Sequence, residues 1–132
     1  MTPKQEKAFI RSFKRFQKDM WKNSASKGFH AADGIRCKNR KCPIQEKYTD
    51  ARIGLRLMLI VSELAEALEA LRVGNPPDSH ILDYSGMEAE MADAIIRIAD
   101  LAYQNDYRLA EAIIAKAAYN KTRKPMHGGK RF

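Results

Sequence analysis

The chain reads as all-α, a single domain built like a four-helix bundle. Three observations predict this. Apolar residues recur every three to four positions in four separate stretches, no stretch suggests a β-sheet, and turn-forming segments separate the stretches. The 132 residues are 45% hydrophobic, and a chain of that size buries about two-thirds of its unfolded surface in one domain.

From about Lys4 to Lys22, Phe9, Ile10, Phe13, Phe16 and Met20 make a helical stripe. Asn23 to Tyr48 mixes Gly28, Gly34, Pro43 and two cysteines and reads as a long loop with at most a short turn. Loops of that length are usually functional or disordered. A second helix spans about Asp50 to Arg72, with Leu57, Ile60, Val61, Leu64, Leu68 and Leu71 as its apolar set; Gly74-Asn75-Pro76-Pro77 stops it. Ser85-Gly-Met-Glu88 has the form of a capping box, hydroxyl to the N3 amide and carboxylate back to the cap amide. It opens a third helix to about Asn105, with Met91, Ile95, Ile98 and Leu101/Ala102 expected in the core. A fourth starts near Asp106, carries Leu109, Ile113, Ile114 and Ala117, and ends by Pro125. The single domain (1–132) thus comprises an N-terminal helix and long loop (1–48), the helices expected to carry the chemistry (49–124) and a Gly-rich basic tail (125–132).

Twenty-four Lys and Arg against 16 Asp and Glu give a net charge of +8. Such an excess favours polyanions: nucleic acid, acidic lipid or phosphorylated small molecules. The excess lies in the first 50 and last 17 residues, with the carboxylate-rich helices between them. No apolar run approaches the ~20 residues of a membrane span, so no membrane partner is expected. The basic start lacks the apolar core of a signal peptide, and Cys37 and Cys42 read as free thiols of a cytoplasmic chain. Zinc is poorly supported, because no second Cys/His pair follows them beyond the isolated His80 and His127.

Two acidic pairs stand out: Glu63/Glu66 in SELAEALEALR and Glu90/Asp93 in EMADAIIRIADLA. The i, i+3 spacing puts each pair on one helix face, about 5–6 Å apart at Cβ. Ordinary solvated glutamates would give the same letters. Here, however, the neighbours are apolar, and only Asp93 has a basic i+4 partner, Arg97. Two such pairs facing each other across a hairpin form a nest of four like charges that needs a cation. A hard divalent ion suits oxygen ligands, Mg²⁺ first and Mn²⁺ as substitute. Asp100, Arg97 and Glu69 read as surface or helix–helix ion pairs. In the last helix Lys116, Asn120 and Arg123 fall at i, i+4 and i+7 and share a face. They suit phosphate and a sugar or base edge, although cations near a helix C-terminus are favoured without a ligand. Trp21, Phe29 and His30 flank the long loop. The rings could stack on a nucleobase, or Trp21 could cover the core and Phe29 anchor the loop; His30 is a candidate phosphate contact.

The pattern Glu63-Leu-Ala-Glu66, a spacer, then Glu90-Met-Ala-Asp93 resembles the signature of the MazG-like, all-α nucleoside triphosphate pyrophosphohydrolases. Lys116-Ala-Ala-Tyr119-Asn120-Lys121-Thr122-Arg123 is similar to the KxxYNxxR segment of phage and bacterial relatives, and Pro125, His127, Gly128 and Gly129 resemble their ends. The resemblance covers Leu57 to Phe132, and more loosely Trp21 to His30. Where relatives commonly carry a further glutamate just before the first motif, this chain has Ser62.

The resemblance implies Mg²⁺-dependent hydrolysis of a nucleoside or deoxynucleoside triphosphate to the monophosphate and pyrophosphate. Glu63, Glu66, Glu90 and Asp93 would hold the metal, with Glu63 or Glu66 as base. Lys116, Asn120, Arg123, Trp21 and His30 would bind substrate. An apolar stripe on the first helix, left uncovered in a monomeric hairpin, predicts a homodimer or homotetramer, as the family does. The alternatives are a basic helical protein that binds nucleic acid without catalysis, and a related hydrolase of dUTP or alarmone nucleotides. The first of these gives no reason for four paired acids, so nucleic acid is not the expected partner.

Overall fold

A computed structural model of the chain describes residues 1–32 and 49–123. The described residues form an all-α bundle of α1 (Pro3–Ser26), α2 (Phe29–Ala32), α3 (Asp50–Arg72), α4 (Gly86–Gln104) and α5 (Leu109–Thr122), with no strand among them. None of their helices is long and apolar enough to cross a membrane. The helix α4 is the centre: α3 packs along one side of it and α1 along another, while α5 and the single turn α2 lie against α1.

Local chemistry fixes each boundary. α1 starts one residue before the predicted Lys4, because Thr2 and Gln5 form a capping box around Pro3 in the first turn. It runs four residues past the predicted Lys22, to a turn at Gly28 whose φ of +82° suits glycine. The first residues of the expected long loop are therefore helical, and Phe29–Ala32 adds another turn. α3 has the predicted bounds. It ends where Gly74 and Asn75 both take positive φ and the Asn75 amide donates to Ala70. The Asn75 side chain then accepts from the Met87 amide, tying the end of α3 to the first turn of α4. Both halves of the Ser85/Glu88 capping box form as predicted. Gly86 lies so close to α3 that an added Cβ would meet the Ala70 methyl at 3.1 Å. The hairpin is pinched at that end.

The core is small and alanine-rich. Ala89, Ala94, Ala99, Ala102 and Ala110 are buried with Ile60, Ala67 and Leu101. Small side chains let the helices approach closely, which displaces larger ones to the outside. This overturns much of the expected core. Leu57, Val61, Leu64, Leu68 and Leu71 of α3 are each more than half exposed, and Met91, Ile95 and Ile98 of α4 are exposed too. Only Ile60 of the α3 set, and Leu101 and Ala102 of the α4 set, are buried as expected. In α5, Ile113 is exposed while Leu109 and Ile114 are half-buried. The α1 stripe of Phe9, Ile10, Phe13, Phe16 and Met20 is half-buried throughout. Among the described residues, the largest uncovered apolar surface is thus on α3 and α4, not on α1.

Candidate metal centre

Glu63 faces α4 because Ile60, Glu63 and Ala67 share one side of α3, spaced i, i+3 and i+7. On α4, Glu90 and Asp93 sit one turn apart, their position set by the Ser85 cap five residues upstream of Glu90. One carboxylate oxygen from each of Glu63, Glu90 and Asp93 lies within 4.8 Å of the others. Opposite ligands across a six-coordinate Mg²⁺ are about 4.2 Å apart, twice the metal–oxygen distance. Only one pair of the three can be opposite; adjacent ligands are about 3 Å apart, so the oxygens would have to draw together by up to about 2 Å around such an ion. Glu66, the fourth predicted ligand, is exposed and stands outside this triad.

The electrostatics show crowding. Burial pushes the Glu90 carboxyl above its ordinary value, helped by a hydrogen bond with Glu63 and by the charges of Glu66, Glu63 and Asp93. Glu66 thus reaches the nest through its field although its oxygens do not join it. An all-oxygen donor set with its negative charge under mutual repulsion suits a hard divalent cation. One cation is already present: Nε of Arg97 lies 2.6 Å from Oε1 of Glu63 in an ion pair, with the Glu63 side chain only 8% exposed. Arg97 crosses to α3 instead of pairing along its own helix with Asp93.

The same face of α4 continues as a polar row. Asp100 accepts or shares a hydrogen bond with Nε2 of His30 at 3.1 Å, both residues buried. One turn further, Gln104 is fully buried and takes the indole N–H of Trp21 at 2.6 Å. Trp21 also packs edge-on to His30 and tilted against Tyr103. Trp21 and His30 are therefore built into the wall behind the site, and His30, 3% exposed, presents almost no surface to a ligand. Phe29 is the exposed ring, at 59%. It lines a cleft of about 170 Å³ together with Asn23, Ser24, Arg56, Asp93 and Arg97. That volume is below the roughly 300–1,000 Å³ of an enclosing small-molecule pocket, so the cleft is an open-sided subsite. Through Asp93 it adjoins the triad. A larger hollow of about 420 Å³ opens at Tyr107–Glu111 and Ala115. Its carboxylate, Glu111, is already paired with Lys14, whereas the smaller cleft adjoins the triad.

Lys116, Asn120 and Arg123 are exposed on α5 or at its end, and Lys116 lies over the Tyr119 ring at 5.1 Å. No hydrogen bond or ion pair joins them to the carboxylates. Glu69 pairs with Arg72 on the surface. Cys37, Cys42 and the tail with Pro125, His127, Gly128 and Gly129 lie outside the described residues. Arg97 forms a helix–helix ion pair as expected, but its partner is Glu63 of α3, which the sequence did not point to. Its signal was the row Glu90, Asp93, Arg97, Asp100, Gln104, five polar residues at alternating three- and four-residue spacing.

Comparison with models of known protein families, with curated proteins and with solved structures finds no match.

Proposed function

We propose that this chain is a metal-dependent hydrolase of nucleoside or deoxynucleoside triphosphates that releases the monophosphate and pyrophosphate, in the manner of the MazG-like family it resembles. The observation that carries the reading is the convergence of Glu63, Glu90 and Asp93 from two helices onto one point. Bound there, Mg²⁺ or Mn²⁺ would supply charge neutralisation of phosphate oxygens and a water of lowered pKa. Glu63, Glu90 and Asp93 hold the ion. Glu66 is the better of the two candidate bases. Glu63 is committed to Arg97, whereas Glu66 is exposed beside the triad and free to take the proton of an attacking water. The open cleft beside Asp93 receives the nucleoside, with Phe29 as the stacking ring, a contact worth about 1–3 kcal/mol for a base. Lys116 and Arg123 remain the candidates for the leaving diphosphate, and Asn120 for the sugar or base.

The assembly proposed with this activity is a homodimer or homotetramer. Its support is the exposed seam Leu57, Val61, Leu64, Leu68, Leu71, spaced four and three like the core positions of a coiled coil, beside Met91, Ile95 and Ile98 of α4.

The test is pyrophosphate release from a panel of triphosphates, dUTP included, with and without Mg²⁺. The expected result is Mg²⁺-dependent release that falls at least about 100-fold in Asp93→Asn, since a metal ligand is lost without a change of volume. Equal turnover by Asp93→Asn and the parent chain, or salt-sensitive DNA binding with no turnover, would overturn the assignment.

A further inference from the structure

The side chain of Glu63 is almost wholly buried, so its carboxylate must be matched by a partner inside the protein. Among the described residues the matching cation is Arg97, whose Nε lies 2.6 Å from Oε1 in an ion pair. Helical spacing alone would pair Arg97 with Asp93, one turn before it on α4. The guanidinium instead reaches across to α3, and Asp93 keeps its carboxylate open to the cleft that Arg97 also lines. Glu63 is therefore held by a rigid planar cation at Oε1 while one of its oxygens also lies within 4.8 Å of oxygens of Glu90 and Asp93.

We propose that Arg97 is the positioning residue of this centre: by gripping Oε1 of Glu63 it fixes the carboxylate's orientation toward the point where Glu90 and Asp93 converge, and so raises affinity for a divalent cation. The inference rests on the reading of the triad as a metal centre. Two opposing effects decide its sign. A fixed positive charge near the site repels a second cation, whereas an oriented ligand no longer loses rotational freedom when the ion binds. Outer partners of metal ligands commonly contribute 10- to 100-fold in affinity. The single short contact to a buried carboxylate places Arg97 in that class, so orientation wins.

The experiment is Mn²⁺ titration of the full chain followed by electron paramagnetic resonance, with no substrate present. Arg97→Met is expected to weaken Mn²⁺ binding about 10- to 100-fold, and Arg97→Lys, which keeps the charge, to recover part of the loss. In a Glu63→Gln background, Arg97→Met should cost nothing further, because the residue acts through Glu63. A merely structural arginine would lower the metal-free melting temperature and leave the Mn²⁺ constant of the folded chain unchanged. Arg97→Gln serves as the second variant should the methionine chain not fold. Unchanged or tighter Mn²⁺ binding in these variants, with binding lost in Asp93→Asn, overturns the role of Arg97 alone. No Mn²⁺ binding by the parent chain overturns the metal centre itself, and this inference with it.

Discussion

Two rows of α4 run side by side, one polar and one apolar, and it is the polar one that is buried at its C-terminal end. Glu90, Asp93, Arg97, Asp100 and Gln104 meet the carboxylate nest, Glu63, His30 and Trp21. Met91, Ile95 and Ile98, on the neighbouring row, are exposed. On α3, Glu63 is buried while Leu55, Leu57, Val61, Leu64, Leu68 and Leu71 lie outside. Burying polar groups does not stabilise a fold unless every one finds a partner, and then only modestly. Asp100 and Gln104 of the polar row are buried with their partners, whereas Asp93 is exposed and Arg97 half-exposed at the edge of the cleft. The polar row is where we propose the site. The apolar row is an exposed surface, on which the proposed second copy would pack.

The strongest way to break this contrast is to charge the apolar row. Leu64→Lys removes about 1.5–3 kcal/mol of side-chain burial from any interface it belongs to. In a twofold-symmetric dimer the loss counts twice, so association should weaken by at least about two orders of magnitude. Light scattering at micromolar concentration should show an oligomer for the parent chain and a monomer for Leu64→Lys. Its circular dichroism should be unchanged, since Leu64 is already exposed within one copy. A monomeric parent chain would leave the exposed seam unexplained and remove the proposed assembly.

Much of this was legible in the sequence, but not which row turns inward. The bounds of α3 followed from a 3.6-residue period and the Gly74-Asn75-Pro76-Pro77 stop, and the start of α4 from Ser85 and Glu88. Those are local signals, complete within a few residues. The Thr2–Gln5 capping box was equally local and went unread, which is why α1 begins earlier than predicted. The acidic pairs were visible as spacing, yet spacing placed Glu66 among the ligands, whereas Glu63 is the residue in line with Ile60 and Ala67. Facing is a tertiary property. On α3 the richer apolar stripe predicted the core, but the poorer one packs, because Ala67 and the alanines of α4 allow closer approach than a leucine seam would. Arg97 illustrates the same limit: its in-helix neighbour was Asp93, and only the fold brings Glu63 within reach.

The polar row can be sharpened by pH. The Glu90 carboxyl is raised in the folded chain by burial and neighbouring acids, so the folded state binds that proton more tightly than the unfolded state does. Between the ordinary value of 4.5 and the raised folded value, metal-free stability contributed by Glu90 falls as pH rises, and the loss is complete above the folded pKa. Asp78, Glu88 and Glu111 are lowered by their hydrogen-bond partners and give the opposite slope, losing stability as pH falls. Glu90→Gln isolates the first effect. Denaturation midpoints measured without divalent metal from pH 4.5 upward should drop less steeply in Glu90→Gln than in the parent chain. Parallel curves would show that the acids are too well solvated to repel, and would weaken the case for a nest.

The smallest expected effect separates position from stability. Ser85 caps α4 by accepting from the Glu88 amide, while the Glu88 carboxylate takes the Ser85 amide at 2.9 Å and its hydroxyl at 2.6 Å. Ser85→Ala should cost about 1 kcal/mol, read as a lower denaturation midpoint at unchanged m-value. The helix is also fastened at the same end by Asn75 to Met87 and by the close approach of Gly86 to Ala70. Those contacts keep the rotation of α4 fixed when the cap is lost. The facing of both rows should therefore survive, and Mn²⁺ affinity should remain within about twofold while stability drops, because second-partner effects of 10- to 100-fold require a direct contact with a ligand. A large fall in Mn²⁺ affinity in Ser85→Ala would mean that the cap, rather than packing against α3, holds Glu90 and Asp93 toward Glu63.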